Sequence, residues 1–215
     1  MKVGIPQTLI YYRYGKIFKK FLENIGIKVI LSPKTNKKIL NDSLKIAPSE
    51  VCLPIKLYFG HINAIKNKVD YLLLPRIVQE GESKYPCPRI KNITDIVNNM
   101  MENMPNTLEP VIDRNNTLEE ALRKLGKTFT ENKEKIEQAI QVSIKKEENK
   151  INFKKDKPTI AILSHPYHLH DEFLNGMLFK LLKNYNISII TNEQIPQKNK
   201  HKPLKKCFGH QNRKF

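Results

Sequence analysis

The stretch VDYLLLP (Val69–Pro75) is almost wholly apolar and ends on a proline. It reads as a strand buried on both faces, the kind found in parallel sheets that are covered by helices. Its neighbours in the chain agree. KVGIP (Lys2–Pro6) reads as a first strand and IKVILSP (Ile27–Pro33) as a second. Between them, Tyr11–Ile25 carries Tyr14, Ile17, Phe18, Phe21, Leu22 and Ile25 at helical spacing, and Gly26 ends that helix. Thr35–Leu44 and Ile55–Lys66 read as two further helices before VDYLLLP. Strand and helix in repeated alternation mean a parallel sheet, so the expected fold class is α/β with a Rossmann-like parallel-sheet domain.

Further along, Thr94–Met101 reads as helical, and TLEPVID (Thr107–Asp113) as a weak strand broken by Pro110. Thr117 and Glu120 form a capping box that opens a helix, and Glu131–Asn149 reads as a long charged helix. NFKKDKPT (Asn152–Thr159) is polar with a proline and marks a domain boundary. The pattern then restarts: TIAILSHP is a strand running into a polar loop, Asp171–Lys183 a helix, and ISIIT a second strand. Phe173, Leu174, Met177, Leu178 and Leu181 lie on that helix's apolar face. One β-α-β fragment cannot bury both faces of its sheet. The expected organisation is a first Rossmann-like domain over residues 1–130, the charged helix and linker over 131–157, the start of a second, incomplete α/β domain over 158–196, and a basic tail over 197–215. On this reading the chain is a truncated form of a longer relative.

The chain has 215 residues, 40% of them hydrophobic, and a formal charge of +17. Such a charge suits a nucleic-acid partner only when it gathers into a stripe. Here lysine alternates with glutamate, as in ENKEKIEQ (Glu131–Gln138), which is how a solvated helix face reads, and no nucleic-acid-binding motif accompanies it. No charge-free apolar run approaches the roughly 18 residues of a membrane span, and Met1 leads directly into a strand, so the reading is a soluble cytoplasmic protein with no membrane partner. The cysteines are Cys52, Cys87 and Cys207, an odd number without a secretory signal, which points to reduced thiols or metal thiolates.

Cys52 sits in APSEVCLPIKLYFGH (Ala47–His61), just before a helix that begins near Pro54, and Cys87 lies on the loop after VDYLLLP. In a doubly wound sheet, ligands gather at the carboxyl ends of the strands, which places both thiols at one crevice. A helix N-terminus favours thiolate, the form that ligates iron or zinc. The competing reading is that each cysteine is a small buried hydrophobe. SHPYHLHDEF holds His165, His168 and His170 beside Asp171, and reads as a loop shaping a ligand crevice rather than a zinc site. Zinc held by Cys52, Cys87 and a histidine such as His61 stays open as a minor alternative, although the spacings are not those of a compact zinc finger. GIPQTL after the first strand resembles an anion-binding turn, but it has one glycine and the chain has no G-x-G-x-x-G or Walker-type loop, which argues against ATP or dinucleotide binding. Arg13, Arg76 and Arg89 are candidates to meet an acidic ligand, with solvated or structural arginines the default.

Five segments taken in order, GIPQTLIYYRY, EVCLPIKLYFGH, YLLLPRIV, YPCPRI and SHPYHLHDEFLN, resemble the 2-hydroxyglutaryl-CoA dehydratase component D-like domain of the activase-related proteins. The resemblance runs from Met1 to about Pro196. It implies paired Rossmann-like domains and a 4Fe-4S cluster that serves ATP-driven, low-potential electron transfer, with Cys52 and Cys87 as cluster ligands and with His165, Pro166 and Tyr167 matching the family's post-strand loop. A further family cysteine lies in a Gly-Cys-Gly-type loop of the second domain. Cys207, in KKCFGH, does not match that loop. The ATP-dependent activase module would come from another chain, and a homodimer pooling two incomplete sites stays open. No acid, base or nucleophile constellation is visible. The alternative to the redox reading is a non-catalytic fragment or a partner-binding α/β protein without a cluster.

Overall fold

The structure is a computed structural model, and it describes residues 1–79, 85–145 and 157–194. These residues fall into two compact units. Met1–Lys146 with His165–Met177 forms the first, and residues 157–164 and 178–194 belong to the second. The basic tail expected over 197–215, Cys207 and the end of the charged helix lie outside the described residues.

The first unit is built on strands β1 (Lys2–Ile5), β2 (Lys28–Leu31), β3 (Tyr71–Leu73) and β5 (Asn106–Leu108). They form one parallel sheet in the order β2-β1-β3-β5. Val3 pairs with Val29 on one side and Tyr71 on the other. The order, with the first strand inside and the crossovers carried by helices, is that of a Rossmann-like α/β sheet. Leu72, Leu73 and Leu74 have no exposure at all, as the apolar run of VDYLLLP requires.

Beyond Pro75 the chain continues as β4 (Arg76–Ile77), and beyond Pro110 as β6 (Val111–Ile112). The ladder survives both prolines: Leu74 N–H donates to Leu108 C=O, Arg76 N–H to Pro110 C=O and Val78 N–H to Ile112 C=O. Bonds at every second residue leave Pro75 on the side where β1 pairs only with Tyr71 and Leu72, so its missing N–H costs no ladder bond. The weak strand TLEPVID is therefore two short strands with a bend between them.

Helices α1 (Lys16–Asn24), α2 (Lys37–Ile46), α3 (Leu53–Ile65), α4 (Pro88–Lys91), α5 (Ile93–Met100), α6 (Leu118–Lys127) and α7 (Lys133–Ile144) complete the first unit up to residue 145. α3 is apolar nearly all round and buries Ile55, Leu57, Tyr58, Phe59 and Ile62 completely or nearly so, which marks it as the central helix. α2 packs on it closely because of Gly60: a Cβ there would lie 2.1 Å from Ser43 Oγ and 2.6 Å from Ile39 O. Thr117 caps α6 through a 3.3 Å bond from Glu120 N–H. The Glu120 carboxylate pairs with Arg123 at 2.5 Å, so one half of the capping box forms.

In the second unit, β7 (Thr159–Ile162) and β8 (Ser188–Thr191) pair in parallel, Ile160 opposite Ile189. α8 (Pro166–His170) and α9 (Glu172–Asn184) come between them in sequence. α9 buries none of its side chains, and Leu181, in its second-unit part, is 50% exposed.

Candidate functional site

A crossover helix runs antiparallel to the strands it connects, so α3 starts at the carboxyl edge of the sheet, where ligands gather in this class of fold. Three helices of the first unit start in the same way. Cys52 precedes α3, Cys87 precedes α4 and His165 precedes α8, each with extended backbone and each followed by a proline in the first turn. Proline at that position presets the helical φ and loses no internal hydrogen bond. The residue directly before it is driven to extended geometry, as Cys87 and His165 show. None of the three side chains caps its own helix, and both thiols are exposed. The alternative of two buried, packing cysteines is thereby excluded.

Tyr167 connects them. Burial raises its phenol pKa first, and negative charge at Cys52 and Cys87 raises it further, and Tyr167 lines one cavity with Cys87. The His165 ring stacks on it at 5.2 Å, 13° from parallel. Burial, and then the charge of His165, lowers the pKa of His168, the next residue. Beside this group lies a cavity of about 240 Å³, walled by Ile10, Tyr14, Ile77, Cys87, Ile90 and Tyr167.

The wall formed by Leu9, Ile10, Arg13 and Tyr14 departs from the single helix expected over Tyr11–Ile25. Leu9 is buried at 2% exposure with φ +52°, a left-handed conformation that costs a non-glycine residue on the order of 1–2 kcal/mol. The chain then makes a π-type turn, Tyr11–Gly15, before α1 begins. Gly15 is required there, because a Cβ would come within 2.0 Å of the Tyr11 ring. π-type turns inside helices occur preferentially at functional sites.

Behind the crevice is a buried hydrogen-bond chain. Gln7 N–H donates to Ser32 Oγ at 2.7 Å, Ser32 Oγ meets His61 Nδ1 at 2.7 Å, His61 Nε2 meets Thr35 Oγ1 at 3.1 Å, and Thr35 donates to Asp171 Oδ2 at 2.5 Å. Donation by Thr35 to the carboxylate leaves its oxygen to accept from His61 Nε2–H, so Nδ1 is the unprotonated nitrogen and accepts from Ser32. One direction of donation thus runs through every group, and the imidazole is fixed as the Nε2–H tautomer. Burial pushes the His61 pKa down to about 4, which keeps the ring neutral. Asp171 Oδ1 accepts from Phe173 and Leu174 N–H at the start of α9, and Tyr12 also bonds the carboxyl. The chain ties the segment carrying His165 and Tyr167 to α3, the helix that carries Cys52.

This settles several sequence-based alternatives. His61 is fully buried with both ring nitrogens bonded to hydroxyls, so zinc held by Cys52, Cys87 and His61 is corrected: the imidazole is not available. Among the described residues no three His, Cys, Asp or Glu side chains gather to hold a metal ion. Two soft thiolates suit iron or zinc, yet they are about half the usual ligand number of a cluster. Arg76 is structural: it pairs with Asp95 at 2.6 Å and with Glu109. Arg13 lines the cavity with its guanidinium 5.5 Å from the Tyr14 ring centroid. Sequence reasoning missed Leu9, Ser32 and Thr35 as parts of the site, and had Asp171 only as a neighbour of the three histidines in their loop. The one local signal it had was the repeated proline after Cys52, Cys87 and His165.

Among the described residues, no helix is long and apolar enough to cross a membrane. No curated protein and no solved structure matches the chain. Residues 2–195 match the family described as "CoA enzyme activase uncharacterised domain (DUF2229)". With its parallel sheet, its carboxyl-edge crevice and a match over nearly its whole length, the chain belongs to this activase-related family.

Proposed function

We propose that this chain is the thiolate-bearing part of a cytoplasmic, activase-related electron-transfer system, similar to the component D-like domain of 2-hydroxyglutaryl-CoA dehydratase. Cys52 and Cys87 supply two ligands of a 4Fe-4S cluster. The observation that carries this reading is a pair of exposed thiols, each heading a proline-started helix and each felt by the same tyrosine.

When bound, such a cluster supplies one-electron transfer at low potential. The chain's own part is to hold the two thiolates on rigid helix starts and to tie the segment that carries Tyr167 to α3 through Asp171, Thr35 and His61. Donors near the sulfurs are one of the levers that set such a potential. The described residues offer no third ligand. The remaining ligands come from a second copy or from a partner, and ATP hydrolysis from an activase module on another chain.

The test is iron and acid-labile sulfide per chain after anaerobic purification, with zinc measured in the same sample. Cys52→Ser and Cys87→Ser should each remove bound iron and leave the fold intact by circular dichroism. Full iron retention in both variants, or a wild-type protein that stays metal-free after reconstitution, overturns the proposal. A second reading, a partner-binding α/β protein without a cluster, is favoured by the exposed apolar side chains Met177, Leu181 and Tyr185. It predicts a colourless protein in the same assay.

A further inference from the structure

We propose that the protein holds one internal water molecule in the fork where β1 and β3 part, hydrogen-bonded to the hydroxyl of Tyr58 and to main-chain carbonyls of the fork. The site needs no metal, so it goes beyond the cluster reading and does not rest on it.

The first observation is chemical. Tyr58 on α3 is 2% exposed, and among the described residues its Oη has no hydrogen-bond partner. One turn further along the same helix, His61 has both ring nitrogens bonded. Burial first, and then negative charge at Glu109, raises the Tyr58 phenol pKa, so the hydroxyl keeps its proton and needs an acceptor. A hydroxyl buried without a partner is costly, and protein interiors commonly satisfy such a group with an ordered water.

The second observation is geometric and independent of the first. The β1–β3 pairing runs through Val3–Tyr71 and Gly4–Leu72. Just beyond it, Pro6, Leu73 and Pro75 line a small cavity together with Tyr58, and Tyr11 and Gly15 of the π-type turn close it. Every residue that lines this cavity is buried and belongs to the first unit. Neither proline has an N–H to donate across the fork, and each keeps its carbonyl as an acceptor.

Size decides the occupant. The cavity measures about 10 Å³, at the lower end of the roughly 10–15 Å³ that one water requires and too small for any organic ligand. A buried water takes two to four polar partners, and a phenol with carbonyls beside it meets that number. Water accepts and donates at once, so it takes the Tyr58 proton in a hydrogen bond and offers its own to a carbonyl. The strand order β2-β1-β3-β5 puts this fork at the point where the chain connections leave in opposite directions. Ile10 lines both this site and the cavity beside Cys87. The water therefore braces the wall that carries Leu9 in its left-handed conformation.

The test uses the full chain and Tyr58→Phe, which keeps the ring and removes only the oxygen. Relaxation dispersion of the water oxygen nucleus counts water molecules held inside a protein and is blind to exchanging hydroxyl protons. The wild type should hold one more long-lived water than Tyr58→Phe, with matching far-UV circular dichroism. A crystal structure of the wild type should place that water within hydrogen-bond distance of Tyr58 Oη, which decides the matter even if the variant folds poorly. Equal numbers of held waters in two folded proteins, or a crystal structure in which Tyr58 Oη bonds directly to a protein oxygen, overturns the proposal. Neither readout depends on whether Cys52 and Cys87 hold iron.

Discussion

The same local pattern, strand, helix and parallel strand, has opposite outcomes in the two units. In the first, β1, α1 and β2 join a sheet whose inner strands are sealed, and Val3, Phe18 and Leu72 have no exposure. In the second, β7 and β8 pair in perfect register, yet Ile160 is 41% exposed, and Leu178 and Leu181 on α9 face solvent. Local sequence is enough to set a strand or a helix and its register. Burial needs a further layer on each face, and among the described residues the first unit alone has both.

The sharpest test of this contrast is at Leu72, whose side chain fills the centre of the first sheet. Leu72→Ala should cost about 2–5 kcal/mol in urea unfolding monitored by far-UV circular dichroism, the usual price of a fully buried leucine. A loss below about 1 kcal/mol would mean that the first unit is no better packed than the second.

The next effect belongs to the polar chain behind the crevice. The folded-state pKa of His61 is pushed down to about 4, from an ordinary value of 6.5. Between these values the unfolded chain binds the proton and the folded chain does not, so stability falls as pH drops from above 6.5 towards 4 and then levels off. The shift corresponds to about 3 kcal/mol. Asp171 and Tyr12 stand at the other end of the same network. In urea unfolding between pH 7.5 and 4, the wild type should lose stability over this window, and His61→Gln should lose much less of it. An equal slope in both would assign the acid sensitivity elsewhere. A smaller effect is expected from Gly60→Ala, whose Cβ meets Ser43 Oγ and the Ile39 carbonyl: about 1–3 kcal/mol, unless α2 moves outwards.

The legibility of the sequence follows the same division. VDYLLLP, KVGIP and the apolar stripe of Phe18, Phe21 and Leu22 carry the parallel sheet in their own periodicity, and the structure has it where they place it. Cys52 was visible as a thiol just before a helix that begins near Pro54, and Cys87 as a thiol on the loop after VDYLLLP, both local patterns. The His61 network was not, since Thr35 and Asp171 meet across 136 positions and nothing near either announces the other. Nor was the π-type turn: Tyr11–Ile25 has a helical period, and only the clash between a Cβ at residue 15 and the Tyr11 ring explains why the first turn widens. Local chemistry reads out locally. A buried polar network is defined by the fold that assembles it.

The smallest predicted effect tests the exposed side of the comparison. Leu178 is 41% and Leu181 50% exposed, so each already pays its hydration cost in the folded state and loses little when shortened. Leu178→Ser and Leu181→Ser should each lie within about 0.5 kcal/mol of the wild type in urea unfolding of the isolated chain. The two should add, because neither belongs to a packed cluster whose members depend on one another. If instead each costs more than about 1 kcal/mol at micromolar protein and the cost shrinks on dilution, the α9 face is covered in solution by a second molecule. The difference between the units would then be one of partner rather than of packing, and the second unit would meet the two-layer requirement across an interface.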